Sequence, residues 1–160
     1  MTNTIVEKRT LEETLQGNEE NVVVRPEFRD MINGQCLTFT CNALGINTGN
    51  KCWLRENITP LKNGETSRKG DVVVYFKSEI NADSLKGADH YGVCLGDGRV
   101  ISKWGGWDVI EHPWDFSIFG DNVQYFRVDN NRLDSNLQKY GYSPEYRQRF
   151  KEMVFGKETN

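Results

Sequence analysis

Cys36 is the side chain in this sequence best suited to nucleophilic chemistry. Apolar residues at helical spacing follow it and Gly45 ends the pattern, so the sequence predicts a helix that begins at Cys36. The unpaired N–H groups and the dipole at a helix N-terminus favour a thiolate and lower the thiol pKa. The same N–H groups suit the negative charge on a carbonyl oxygen under attack. Cys36 is therefore the candidate nucleophile for attack on a carbonyl group.

A purely structural role for the cysteines is the alternative. Cys41 lies on the apolar face of the predicted helix and Cys94 lies inside a predicted strand, so both are expected to be small buried hydrophobes. Cys36 differs from them because the pair Gly34-Gln35 precedes it. A glycine turn that delivers a cysteine to a helix start lowers local stability, which packing alone does not justify. The sequence favours a functional Cys36.

His90 is the candidate base for this thiol. It follows Ala88-Asp89 and begins a predicted strand, where an imidazole can still reach solvent and substrate. Imidazole titrates near neutral pH and activates thiol nucleophiles in many enzymes. The alternative for His90 is a histidine on a strand with satisfied hydrogen bonds and no role in chemistry.

These residues require a scaffold that combines a helix with a sheet. Runs rich in β-branched and aromatic residues predict five strands, at 71–76, 90–95, 100–104, 109–111 and 123–128. Helices are predicted at 26–31, at 36–44 and after Ser143-Pro144, with Gly156 past the end of the last one. The expected fold class is α+β: a nucleophile helix packed on a meandering antiparallel sheet of about five strands, with a C-terminal helix.

Length and charge place all of these elements in one domain. The chain has 160 residues, enough for one hydrophobic core, and its formal net charge is −3. Residues 1–20 are expected to form a flexible or helical segment, and residues 21–156 a single catalytic domain. Basic residues are scattered rather than clustered, which argues against nucleic acid as a partner.

Targeting segments and cofactor motifs are not evident in the sequence. No apolar run resembles a secretory signal or a membrane span, so the chain is expected to be cytoplasmic, or exported without a classical signal peptide. The four cysteines are expected to be reduced thiols. The sequence has no Cys-x-x-Cys pair and only two histidines, so zinc is not expected, and thiol chemistry at Cys36 would need no other cofactor.

Three motifs occur in one order along the chain. They are Gln35-Cys36-Leu37-Thr38-Phe39, then Gly70-Asp71 with the strand to Phe76, then His90-Tyr91-Gly92-Val93-Cys94-Leu95 with Gly96-Asp97-Gly98. Together they resemble the signature of the NlpC/P60 branch of papain-like cysteine hydrolases, over about residues 33 to 105. Gln35 and Leu37 depart from the Asp and Ser that often flank the nucleophile, so the resemblance implies a divergent branch.

The resemblance also implies a third residue about twelve positions after the histidine, where this chain has Ser102. A three-residue loop at 96–98 would put Ser102 on the face of His90, whereas a two-residue turn would put Lys103 there. A serine oxygen can accept a hydrogen bond from imidazole and a lysine cannot. We therefore expect the three-residue loop with Ser102 as the orienting residue; a backbone carbonyl or no third group is the alternative.

Four further residues are candidates for the site. Trp104 and Trp107 flank two glycines in a predicted loop, which suits a groove for a flat or extended ligand, although aromatic residues that cover a small core are the alternative. Gln35 directly precedes the nucleophile. His112 could replace the third residue or touch substrate, or it is a surface histidine before Pro113.

The function implied by the resemblance is amide hydrolysis, in a protein of bacterial or phage origin. Cys36 would attack the carbonyl, His90 would take the thiol proton, and water would release the product. The implied partner is a peptide or peptidoglycan-fragment substrate, and the second partner considered is an immunity or inhibitor protein. The alternatives are an intracellular acyltransferase or deamidase of the same superfamily, and a non-catalytic binding module that keeps the fold.

Overall fold

The structure is a computed structural model that describes residues 21–26, 28, 35–45, 49–104, 108–140 and 144–156. Over these ranges the strands are β1 Val23–Val24, β2 Ile58–Pro60, β3 Val72–Phe76, β4 Ala88–Gly96, β5 Arg99–Lys103, β6 Val109–Pro113 and β7 Asn122–Val128. The α-helices are α1 Cys36–Ala43, α2 Lys51–Glu56, α3 Asn130–Tyr140 and α4 Pro144–Phe155, and a 3₁₀ turn covers Ser117–Phe119. The predicted segment 1–20, most of the predicted helix 26–31, Ser143 and Trp107 lie outside the described residues.

One antiparallel sheet organises the described part of the chain. Its seven strands follow the order β1-β6-β5-β4-β3-β7-β2, so β3 to β6 form a meander and β7 returns beside β3. All five predicted strands are present, and the α+β class is confirmed. The expected number of strands is wrong, because β1 and β2 add an edge strand on each side. They have two and three residues, too few for a period to be read from the sequence.

The predicted helices that lie in the described ranges are confirmed. α1 begins at Cys36 and is followed by Gly45 with φ of 104°, a conformation that glycine adopts without strain. α4 begins at Pro144 and ends before Gly156. Two helices were not predicted, and one of them, α2, begins where the Asn50 side chain accepts a 2.8 Å hydrogen bond from the Trp53 backbone N–H. None of the described helices is long and apolar enough to cross a membrane.

The sheet has a hydrophobic core on each face. The face that carries α1, here called the helix face, includes Val72, Val74 and Phe76 of β3. The other face, here called the loop face, is covered by the chain around the 3₁₀ turn and includes Val73 and Tyr75. Every residue of β3 is buried, which explains its unbroken apolar sequence.

The hairpin between β4 and β5 corrects the expected loop. Asp97 and Gly98 form a two-residue turn with φ values of 53° and 74°, as a type I′ turn requires, and Gly96 pairs with Arg99. The ladder then shifts by one residue between Cys94 and Gly96, because Leu95 forms a bulge. The three-residue loop is therefore wrong, but the bulge restores the same register beyond it.

The close approach of β4 and β5 at Gly92 shows this register directly. A Cβ atom built on Gly92 would lie 3.2 Å from the Ser102 Cβ and 2.6 Å from Val100 Cγ1, so the two strands meet there without room for a side chain. Ser102 consequently shares a sheet face with His90. This face was expected, although the loop length from which it was expected is wrong.

Candidate functional site

Cys36 lies at the start of α1 on the helix face, and its side chain is half-buried. Burial raises the pKa of the Cys36 thiol above its ordinary value. Hydrogen bonds from the backbones of Tyr91, Leu37 and Cys36 itself lower this pKa only in part, and the Asp89 carboxylate raises it further. The predicted lowering of the thiol pKa is therefore wrong for this conformation, because desolvation outweighs the backbone N–H groups.

His90 lies on the opposite face of the sheet. It pairs with Tyr75 of β3, and its ring stacks on Phe119 with centroids 3.6 Å apart and planes 8° from parallel. Its neighbour Tyr91 belongs to the core beneath α1, since side chains alternate across a strand. The structure thus brings the backbone of Tyr91 to the Cys36 thiol and directs the His90 imidazole away from it. The two members of the predicted dyad are not in contact in this conformation.

Ser102 pairs with His112 rather than with His90. The Ser102 Oγ lies 2.8 Å from His112 Nε2, and His112 Nδ1 lies 2.8 Å from the Pro113 carbonyl oxygen. A carbonyl only accepts, so Nδ1 carries the proton, and Nε2 must accept from the Ser102 hydroxyl. Both side chains are fully buried, so the alternative of a surface His112 is wrong and direct contact of His112 with a substrate is not possible in this conformation.

The four side chains Tyr75, His90, Ser102 and His112 are here called the histidine cluster. The His90 and His112 rings have centroids 6.3 Å apart, and Tyr75 lies 5.8 Å from His90 by the same measure. Within the described residues, neither His90 Nε2 nor the Tyr75 hydroxyl has a hydrogen-bond partner. Burial lowers the pKa of His90 well below its ordinary value, and His112 contributes to the lowering. The cluster therefore contains one satisfied pair and two buried polar atoms that remain unpartnered.

Aromatic rings of the loop face cover this cluster. Phe116 and Phe119 both contact His112, with ring centroids 5.5 Å and 5.0 Å away, and Trp104 lies 5.1 Å from Phe119. Trp104 is only 7% exposed, so it acts as core cover, which was the alternative to a substrate groove. Sequence analysis missed Phe116 and Phe119, because they lie in a segment with neither helix nor strand periodicity.

The remaining sequence candidates divide into exposed, buried and undescribed positions. Gln35 is exposed directly before α1, and its side chain does not cap the helix. Trp107 lies outside the described residues. Cys41 and Cys94 are buried as expected, and burial raises the pKa of the Cys41 thiol to about 12. All four cysteines are free thiols.

Neither a group of metal ligands in the described residues nor a similar known protein gives further information about this site. In the described ranges, no three side chains from His, Cys, Asp or Glu lie close enough together to hold a metal ion. Comparison with protein-family models, with curated proteins and with solved structures finds no match to this chain. The assignment of a function therefore depends on the geometry of the site and on the motifs.

Because His112 is buried and neutral, we expect the protein to lose stability in acid. Burial lowers the pKa of His112 from 6.5 to about 4, so between these values the unfolded chain binds a proton that the folded chain does not. The contribution of neutral His112 is complete above pH 6.5 and is lost as the pH falls towards 4. From the linkage relation we expect His112 to account for a decrease in the free energy of unfolding on the order of 2 to 3 kcal/mol at pH 4.5, to which the buried His90 adds, measured by urea titration.

His112→Gln is the control for this prediction. The variant has no imidazole at this position, so its free energy of unfolding should fall less between pH 7 and pH 4.5 than that of the wild type. Equal falls in the two proteins would contradict a buried neutral His112.

Proposed function

We propose that the protein is a cysteine hydrolase that cleaves an amide bond through an acyl-enzyme on Cys36, with a bacterial cell-wall peptide as substrate. The observation that carries the proposal is the position of the Cys36 thiol: half-buried at the start of α1, and in contact with backbone hydrogen-bond donors of α1 and β4. The substrate class rests on the resemblance to the NlpC/P60 branch, whose motifs occur here in the family order.

The surroundings of Cys36 suit acyl transfer. The first N–H groups of a helix have no partner within it, and here they lie beside the sulfur. A carbonyl carbon attacked by that sulfur would put its oxygen near the same donors, which stabilise the developing charge. Of the other cysteines, Cys41 and Cys94 are buried in the core, and Cys52 is exposed on α2. Cys36 is therefore the proposed nucleophile.

The reaction also needs a base for the thiol proton. His90 directly precedes Tyr91, whose backbone contacts the Cys36 thiol. The pairing of β3 with β4 is irregular at Asp89, the residue before His90. A bulge can redirect the side chain beside it, and a shift of one residue exchanges the two faces of a strand. The proposal therefore includes a rearrangement at Asp89 in the substrate complex that turns the His90 imidazole to the helix face.

Digestion of purified peptidoglycan tests the hydrolase. The wild type is expected to release peptide fragments identifiable by mass, Cys36→Ala to release none, and the exposed-site control Cys52→Ala to match the wild type. His90→Gln should lower the rate by about 100-fold or more, the usual effect of losing a general base. Equal activity in Cys36→Ala and Cys52→Ala would contradict the proposal.

A non-catalytic binding module is the second candidate function. It is favoured by two observations: the sheet separates His90 from Cys36, and burial raises the pKa of the thiol. A protonated thiol is a poor nucleophile, so a protein that keeps this conformation would not turn over substrate.

Alkylation by iodoacetamide separates the two candidates within one chain. In the binding module, Cys36 should react more slowly than the exposed Cys52 at pH 7.5, with or without a peptidoglycan fragment, and its rate should still be rising with pH above pH 9, because the thiolate is the reactive form. In the hydrolase, adding a peptidoglycan fragment that turns the His90 imidazole towards the thiol should accelerate the alkylation of Cys36 at pH 7.5 but not that of Cys52, and His90→Gln should remove this acceleration. The rates are measured by mass spectrometry of the peptides that contain each cysteine.

A further inference from the structure

A cavity of about 420 Å³ opens at the end of the sheet where β3 begins. Leu44, just beyond the C-terminal end of α1, lies in its wall, whereas Cys36 is the first residue of that helix. A helix of this length spans about 12 Å, so the cavity is separate from the proposed nucleophile. The side chains that matter for its chemistry are Arg68, Lys69, Asp71, Arg127, Lys151 and Phe155. We call it the cationic cavity.

The charge of the cavity is positive although the chain carries a net charge of −3. Four cationic side chains line it against two carboxylates, those of Asp71 and Asp134. Asp71 is 2% exposed and accepts two hydrogen bonds of 3.0 Å from the Arg127 guanidinium, so these two charges neutralise each other. The three remaining cations outnumber the Asp134 carboxylate and the Glu65 carboxylate, which lies 3.6 Å from the Arg127 guanidinium, and this excess produces a field that attracts anions.

Three of these cations have no ion-pair partner within the described residues. They are Arg68 and Lys69, which precede β3, and Lys151 of α4. All three are exposed, so their charges can turn towards a ligand at little cost in desolvation. Cations from two separate segments that face one concave space can bind the oxygens of one phosphate group from two sides.

An aromatic wall completes the cavity. Phe155 is 55% exposed, which is unusual for a phenyl ring. The ring lies against Gly70, where a Cβ atom would be 3.0 Å from the Phe155 Cζ, and Gly70 has φ of 90°. The backbone thus supports one edge of the ring and leaves the rest uncovered. An exposed ring beside phosphate-binding cations suits a planar group on the same ligand, because bases stack on aromatic side chains.

We propose that the cationic cavity binds a small phosphorylated ligand with a planar ring, of the class of nucleoside monophosphates. The volume lies in the range of small-molecule sites. The phosphate contacts Arg68, Lys69 and Lys151, and the planar ring stacks on Phe155. Asn130, the first residue of α3, also lines the cavity. This site is independent of the reaction proposed at Cys36.

Isothermal titration calorimetry of the full chain at low ionic strength tests the proposal, with adenosine monophosphate, adenosine and inorganic phosphate as probes. Adenosine monophosphate should bind at least 10-fold more tightly than either of the other two. The double variant Arg68→Ala/Lys69→Ala and the single variant Lys151→Ala should each weaken its binding by 10-fold or more. Phe155→Leu should weaken binding of adenosine monophosphate and leave that of phosphate unchanged.

The matched control is Lys77→Ala/Lys86→Ala, which removes two exposed positive charges near the other end of β3. It should leave the affinity for adenosine monophosphate unchanged. Absence of binding by the wild type, or an equal loss of affinity in the control and in the Arg68 and Lys69 variant, would overturn the site. Phosphate that binds as tightly as adenosine monophosphate would overturn the role of the planar ring.

Discussion

Side chains alternate between the two faces of β4, and its pairing with β3 fixes the face that each one takes. Tyr75 pairs with His90 and Val74 with Tyr91, so the imidazole enters the loop face and the phenol enters the core under α1. A shift of one residue would exchange them and would also bring a residue with a side chain to the position of Gly92, where the two strands leave no room for one. The histidine cluster and the isolation of the Cys36 thiol both depend on this register.

The register of β4 determines which polar atoms of the histidine cluster have hydrogen-bond partners. The Ser102 hydroxyl and the Pro113 carbonyl satisfy both nitrogens of His112. His90 has no comparable partner for Nε2 among the described residues, and a buried unpaired polar atom costs about 1 to 3 kcal/mol. The stacking of His90 on Phe119 offsets part of this cost. Such a cost is tolerated most readily where a side chain has a role beyond packing, which is consistent with the proposed rearrangement of His90.

Much of the fold could be predicted from the sequence, because its central elements have strong periodicity. The strands from Asp71 onwards and the helix that begins at Cys36 have clear patterns, and the structure contains them. The edge strands β1 and β2 are too short for a pattern, and β2 ends at Pro60, a residue that local rules exclude from central strands. α3 is polar along most of its length and contributes little apolar signal, although its Leu133 is buried.

The candidate site could be predicted less well, for two physical reasons. The backbone of Tyr91, next to His90, reaches the Cys36 thiol, but the face of His90 depends on its pairing with Tyr75 beside the irregularity at Asp89. Local rules also predict a low thiol pKa at a helix start, while burial, which depends on the whole fold, raises it. Ser102 reached the expected face only because the bulge compensated for the shorter turn.

The central claim is that the sheet separates the His90 imidazole from the Cys36 thiol in the free protein. Nuclear Overhauser effects from the assigned ring protons of His90 test it most directly, with His90→Gln to identify the signals. We predict strong effects to the ring protons of Phe119 and none to the β-protons of Cys36. Effects between His90 and the Cys36 β-protons, without those to Phe119, would contradict this structure of β4.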